Sequence, residues 1–170
     1  GYSGSNLYVV ADGMGGHAGG GTASRVAVET IDQEMRGAKK AAENPFSLDT
    51  PLQDSPLPEF LRGSVEKACA AIFKAAQEDP RLAGMGTTVI TLCVKGENAL
   101  FAHVGDSRAY ALSDGALRRI TTDHSLVEQL VAGGIIKPED RYTHPQRNKS
   151  FKSLGGDPAL QPDTFVQRLQ

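Results

Sequence analysis

The sequence has no tryptophan, only two cysteines, and just 6% aromatic residues among its 170. Cys69 and Cys93 fall in separate apolar segments, without C-x-x-C spacing or a neighbouring histidine, so two buried reduced thiols are expected, not a disulfide or a zinc site. Neither sign of charge dominates. The net charge is −2 and no run of lysines or arginines occurs, which excludes the basic field needed to grip a phosphate backbone, so no nucleic-acid partner is expected. Long apolar runs are missing too. The longest, around Val89–Val94 and Ala99–Val104, are far short of the ~20 residues a membrane span requires. The N-terminus lacks the charged-then-apolar pattern of a signal peptide. A cytoplasmic protein with no membrane span in this chain is the expectation.

What is present, 39% hydrophobic and 22% charged residues, suits one globular domain over residues 1–170. A domain of this size buries roughly 70% of the surface its unfolded chain exposes, so it needs no metal merely to fold, and any metal it binds is functional. Leu7 to Ala11 reads as a β-strand stopping at Asp12, followed by a glycine cluster, Gly13 to Gly21, that reads as a loop. Helical spacing begins with Thr22 as N-cap and places Ala23, Val26, Ala27, Thr30 and Ile31 on one face. The proline-bearing stretch from Gly37 to Pro58 reads as an exposed connection, with residues 38–55 as a mobile loop. A second helix runs from Pro56 to Glu78, with Phe60, Leu61, Val65, Ala68, Cys69, Ile72, Phe73 and Ala76 at helical spacing, and Pro80 stops it.

Thr87–Val94 and Ala99–Val104 read as a buried hairpin. Arg108–Leu112 and Ala116–Ile120 form a second one around Ser113-Asp114-Gly115, where Asp-Gly accepts positive φ. Ser125 and Glu128 make a capping box for a short helix ended by Gly133-Gly134. The rest to Gln170 reads as irregular, its last strand-like piece having no partner in the sequence. Hairpin-linked strands with separate helices indicate an α+β layered fold, because hairpins lack the crossover helices of a parallel sheet.

Two segments carry chemistry. In Val10-Ala11-Asp12-Gly13-Met14-Gly15-Gly16-His17 a carboxylate stands at the mouth of a buried strand, where it costs free energy unless paired or bound to a cation. The glycines after it permit close backbone approach and free the Gly13 carbonyl as a hard oxygen donor, which suits magnesium or manganese. In Val104-Gly105-Asp106-Ser107-Arg108 another strand ends in Gly-Asp, and two such ends could bring carboxylates into one cleft, as a multi-metal hydrolase site needs.

Together with Gly86-Thr87-Thr88, Ala109-Tyr110 and Thr122-Asp123-His124-Ser125-Leu126, these segments occur in an order that resembles the metal-dependent PPM, or type 2C, protein serine/threonine phosphatase family. Methionine at 14 resembles its bacterial branch. The resemblance runs from Leu7 to about Gly155. It implies an α-β-β-α sandwich of antiparallel sheets with flanking helices, incomplete here because edge strands are missing, and hydrolysis of phosphoserine and phosphothreonine on proteins by the complete parent domain. It also implies two or three Mn2+ or Mg2+ ions: Asp12, the catalytic residue, bridging two of them and their attacking water, Gly13 ligating through its carbonyl, and Asp106 helping to hold a third. Arg108 is expected to be structural, and residues 131–151 to form a flap-like segment beside the site. The family's phosphate-binding arginine and acidic cluster would precede Leu7, and its Ser-Asp-Gly strand and Asp-Asn motif would follow Gln170. The chain is therefore expected to be the central part of such a domain and inactive alone. Implied partners are phosphorylated proteins serving a cognate serine/threonine kinase, and unpaired edge strands suggest association between chains. In Arg147-Asn148-Lys149-Ser150-Phe151-Lys152-Ser153-Leu154-Gly155, lysine and serine stand where apolar residues are usual.

Each residue also has a plainer reading. Asp12 could only form a turn or cap a helix, and Asp106 could close an Asx-turn with Arg108 as ion-pair partner. His17, His103, His124 and His144 lack zinc spacing, and His103 reads as a satisfied structural histidine. Gly13 to Ala18 fits G-x-G-x-x-A, but Asp12 would repel a pyrophosphate and no second parallel strand ending in an acid follows. The rival from another class is a catalytically silent phosphatase-like binding or regulatory module.

Overall fold

A computed structural model describes residues 7–40 and 44–169, apart from the side chains of residues 16–18. In chain order the elements are β1 (Leu7–Val10), β2 (Gly13–Met14), α1 (Gly16–Lys39), α2 (Leu57–Glu78), β3 (Gly86–Thr87), β4 (Val89–Lys95), β5 (Asn98–Val104), β6 (Tyr110–Ser113), β7 (Ala116–Arg119), α3 (Leu126–Ala132) and β8 (Asp163–Arg168). The antiparallel order β1-β4-β5-β8 forms the main sheet, and β2-β3 and β6-β7 are short two-stranded pairs.

Alternation along the strands divides the core. Leu7, Val89, Cys93, Leu100, Ala102 and Val104 face Ala23, Ala27 and Ile31 of α1 and Leu61, Val65, Ala68 and Ile72 of α2. The opposite parity, Ile90, Ala99 and Phe101, meets Ala109 and Ile120 beside the β6-β7 hairpin, and Phe165 of β8. Phe101 and Phe165, directly paired across the ladder, stack with ring centroids 5.2 Å apart. Among the described residues this makes a helical layer, a four-stranded β layer and a two-stranded hairpin packed on its other face, the α+β class expected from the hairpins. Asp114 (φ 51) and Gly115 (φ 75) supply the positive φ that the β6-β7 turn demands. Both cysteines are free and buried, and burial pushes the Cys93 thiol up to about 11.

Four expectations need correction. The glycine cluster is not a loop to Thr22: helix α1 begins at Gly16, with Gly15 (φ 114) preceding it. Helix propensity disfavours this, but packing overrides it, since a Cβ on Gly13 would lie 1.9 Å from the Gly20 carbonyl oxygen. Glycine here lets α1 lie against the β2-β3 ladder. Second, the final strand does have a partner, because β8 pairs antiparallel with β5, Leu100 opposite Val166. Third, Ser125 caps α3 by accepting from the Glu128 N–H at 3.4 Å, but the Glu128 carboxylate bonds Arg119 and Arg141 instead of closing the box. Fourth, His103 is not fully satisfied, since its Nε2 is buried without a hydrogen-bond partner among the described residues. Burial, with His124 second, lowers its pKa. Residues 41–43 of the 38–55 connection lie outside the described residues; within 44–56, Phe46 and Leu52 pack against the core.

Candidate metal centre

Thr88, between β3 and β4, joins the two candidate carboxylate segments. Its N–H donates to the Asp12 carbonyl at 2.9 Å, and its Oγ1 accepts from the Asp12 N–H at 3.2 Å. The same hydroxyl lies 2.7 Å from Ser107 Oγ. The register explains this. Ile90 of β4 faces Val10 of β1 on one side and His103 of β5 on the other, so the chain segments leaving β1 and β5 flank Thr88 at one end of the sheet. Two strands on either side of a third lie roughly 10 Å apart. Asp12 and Asp106 thus follow the strands on either side of β4, at the same end of the sheet.

Both carboxylates are exposed, and neither side chain has a hydrogen bond or ion pair within the described residues. That separates them from Asp123, whose 5% exposed side chain is held bidentately by Arg108, with Nε at 3.0 Å from each oxygen. Donating to Asp123 raises the Arg108 pKa further. Arg108 is thus committed to the Asp123 ion pair.

The Gly13 carbonyl has a suitable setting. Gly13 stands opposite Thr87, whose own N–H and C=O both bond Leu154, so that carbonyl stays outside the β2-β3 ladder. Gly105 adopts φ +105, and a Cβ there would meet Thr88 Cγ2 at 2.7 Å; only glycine permits the turn that presents Asp106. The donors at this end are all oxygen, the set that suits a hard divalent cation. No group of three acidic, histidine or cysteine side chains gathers among the described residues. A polar cleft of about 310 Å³ adjoins Asp106 and is lined across from it by Arg141, Tyr142, Arg147 and Asn148. Arg141 is committed to Glu128 at 3.1 Å, whereas Arg147 has no acidic partner among the described residues.

Sequence reasoning named the Thr87-Thr88 motif but missed that Thr88 bonds both acidic segments. The adjacent threonines were the available signal; their partners are distant in sequence and could not be read from it.

Fold and site together define a class: a helix-covered antiparallel sheet carrying oxygen donors at adjoining strand ends. The chain belongs to the protein phosphatase 2C family, whose profile matches residues 2–133. It is 34% identical over 164 residues to the serine/threonine phosphatase Stp of Listeria welshimeri, covering 96% of this chain and 61% of that protein. The crystal structure of serine/threonine phosphatase Stp1 from Staphylococcus aureus superposes with a TM-score of 0.83 at 35% identity, covering 96% of this chain and 60% of that one. The catalytic domain of serine/threonine protein phosphatase PstP, in complex with two manganese ions, gives a TM-score of 0.77 at 31% identity, covering 99% of this chain and 64% of that one. This chain thus spans less than two thirds of each.

Proposed function

We propose that the protein containing this chain hydrolyses phosphoserine and phosphothreonine on proteins, using Mn2+ or Mg2+. The observation that carries the reading is the placement of Asp12 and Asp106, two exposed carboxylates without protein partners, on segments joined through Thr88. Asp12 and the Gly13 carbonyl would hold the principal cations, and Asp106 a further one. When bound, the cations supply an activated water and offset phosphoryl charge. The chain's own part is to orient: Thr88 fixes the Asp12 backbone, and Ser107 and Gly105 fix the two sides of Asp106. The 131–151 segment contributes Arg141 and Arg147 to the cleft beside Asp106 and would act as a flap contacting the phosphoprotein. A cognate serine/threonine kinase, a cytoplasmic location and association of chains through strand edges belong to the same proposal. Among the described residues no helix is long and apolar enough to cross a membrane. The silent-module reading is less well supported, because the relatives named above are phosphatases.

The test is hydrolysis of a phosphothreonine peptide by the full-length protein with manganese and with chelator. Activity should vanish with chelator, and Asp12→Asn should lower kcat by about 100-fold or more, the scale of loosening a cation that offsets transition-state charge. Undiminished turnover by Asp12→Asn would sink the assignment of Asp12.

A further inference from the structure

His124 makes more connections than any role so far assigned to it explains. Its N–H donates to the Gly105 carbonyl at 2.8 Å, and its Nδ1 accepts from the Gly105 N–H at 2.9 Å. One residue therefore clamps both backbone polar groups of the glycine preceding Asp106. Its carbonyl accepts from the Phe151 N–H at 3.0 Å and from Ser150 Oγ at 3.0 Å. On the far side of the ring, Nε2 lies 3.0 Å from Asp163 Oδ2, and the other Asp163 oxygen lies 2.8 Å from Lys152 Nζ. The ring stacks on His103 with centroids 4.8 Å apart and tilts against Phe151.

The chemistry of these bonds fixes the ring's protonation. Because Nδ1 accepts from an amide, the ring proton sits on Nε2 and is donated to Asp163, the arrangement by which an outer carboxylate sets a histidine's tautomer and orientation. Among the described residues the Asp106 side chain has no bond of its own, so its position is inherited from Gly105 on one side and from Ser107 on the other. Gly105 is held by His124, and His124 by Asp163 and by the chain at 150–152.

We infer that His124 is a positioning residue that, oriented by Asp163, ties the C-terminal base of the 131–151 segment to the Gly105-Asp106 turn. Displacement of residues 150–152 is then felt at Asp106, and cation occupancy at Asp106 is felt at the segment's base. This rests on the reading that Asp106 holds a cation.

Two substitutions separate the halves of the connection. In His124→Asn the amide oxygen replaces Nδ1 and keeps the bond from the Gly105 N–H but cannot reach Asp163. In His124→Gln the amide replaces Nε2, keeping Asp163 and losing the bond from the Gly105 N–H, while the backbone bond from residue 124 to the Gly105 carbonyl stays in both variants. Both remove the ring stacking equally. Manganese binding to the full-length protein, followed by calorimetry with thermal unfolding as a control for folding, is the measurement. In His124→Gln the weakest manganese site, taken as the one Asp106 helps to hold, should lose about 10-fold or more in affinity, the usual cost of removing an outer-shell partner. His124→Asn should retain most of that affinity, and Asp163→Ala should lose less than His124→Gln. Equal losses in the two His124 variants, or an unchanged weak site in all three, would overturn the inference. If both His124 variants unfold, Asp163→Ala decides alone, since Asp163 is exposed and its replacement leaves the core untouched: weakened manganese binding supports the link and unchanged binding refutes it. A wild-type protein that binds no manganese and leaves the phosphothreonine peptide intact would overturn the functional reading as well, whereas an active, manganese-binding wild type with indifferent variants would overturn only this inference.

Discussion

Lys95 carries an ammonium into the interior, 5% exposed, where it donates to the Pro45 carbonyl at 3.0 Å and to Ser55 Oγ at 2.8 Å. No carboxylate among the described residues contacts it, and burial lowers its pKa. The partners do not depend on it, because Ser55 Oγ also donates to Pro45 and accepts from the Leu57 N–H. Lys95→Met should therefore leave stability at pH 7 unchanged or raise it by about 1 kcal/mol, as replacing uncompensated buried charge often does. With its folded pKa lowered, the unfolded chain binds more protons between the two pKa values, so wild-type stability rises with pH toward the ordinary lysine value of about 10.4 and the gap to the variant narrows. Denaturant melts at several pH values check this, and a loss above about 2 kcal/mol at pH 7 would contradict it.

At the scale of elements, apolar side chains stand uncovered on the β6-β7 hairpin and along both edges of the main sheet. Leu112 and Leu117 of the β6-β7 hairpin are 72% and 67% exposed, and the two opposite edge strands expose Tyr8 and Val10 of β1 on that outer face and Val166 of β8 on the helix-covered face. Open edges beside apolar surface invite pairing between chains. The 170-residue chain should show a mass that rises with concentration in light scattering, and Leu112→Lys combined with Leu117→Lys should reduce it. A constant monomer mass would refute this. The same elements mark how far the sequence was legible. Helix α2 and the β4-β5 hairpin follow their own periodicity, and Asp114-Gly115 announces its turn. The start of α1 was hidden because glycines disfavour helix locally and only contact with β2 makes them useful there. The pairing of β8 was hidden because register with β5 is set by partners such as Phe101 and Phe165, far apart in the chain. Asp12 and Asp106 were legible as strand-terminal acids; their connection through Thr88 and His124 was not, since hydrogen bonds between distant residues leave no local pattern.

For the molecule as a whole, the antiparallel pairing of β1 with β4, Leu7 opposite Cys93, sets the sequence of events in folding. Strands β4 and β5 meet across a turn at Gly96 (φ 58), so they can associate on the microsecond scale of a hairpin. β1 must instead wait for closure of a loop containing both long helices, and that entropy is spent before any contact rewards it. The hairpin with α2 against it is the natural nucleus, and β1 joins late. Leu100→Ala should then slow folding, while Leu7→Ala should chiefly accelerate unfolding. Stopped-flow chevrons on the full-length protein would distinguish them, and a folding limb slowed equally by both would place β1 in the nucleus. Late joining has a chemical corollary: the strand that presents Asp12 would be among the last parts ordered, so competence to bind a cation would follow collapse of the core instead of guiding it.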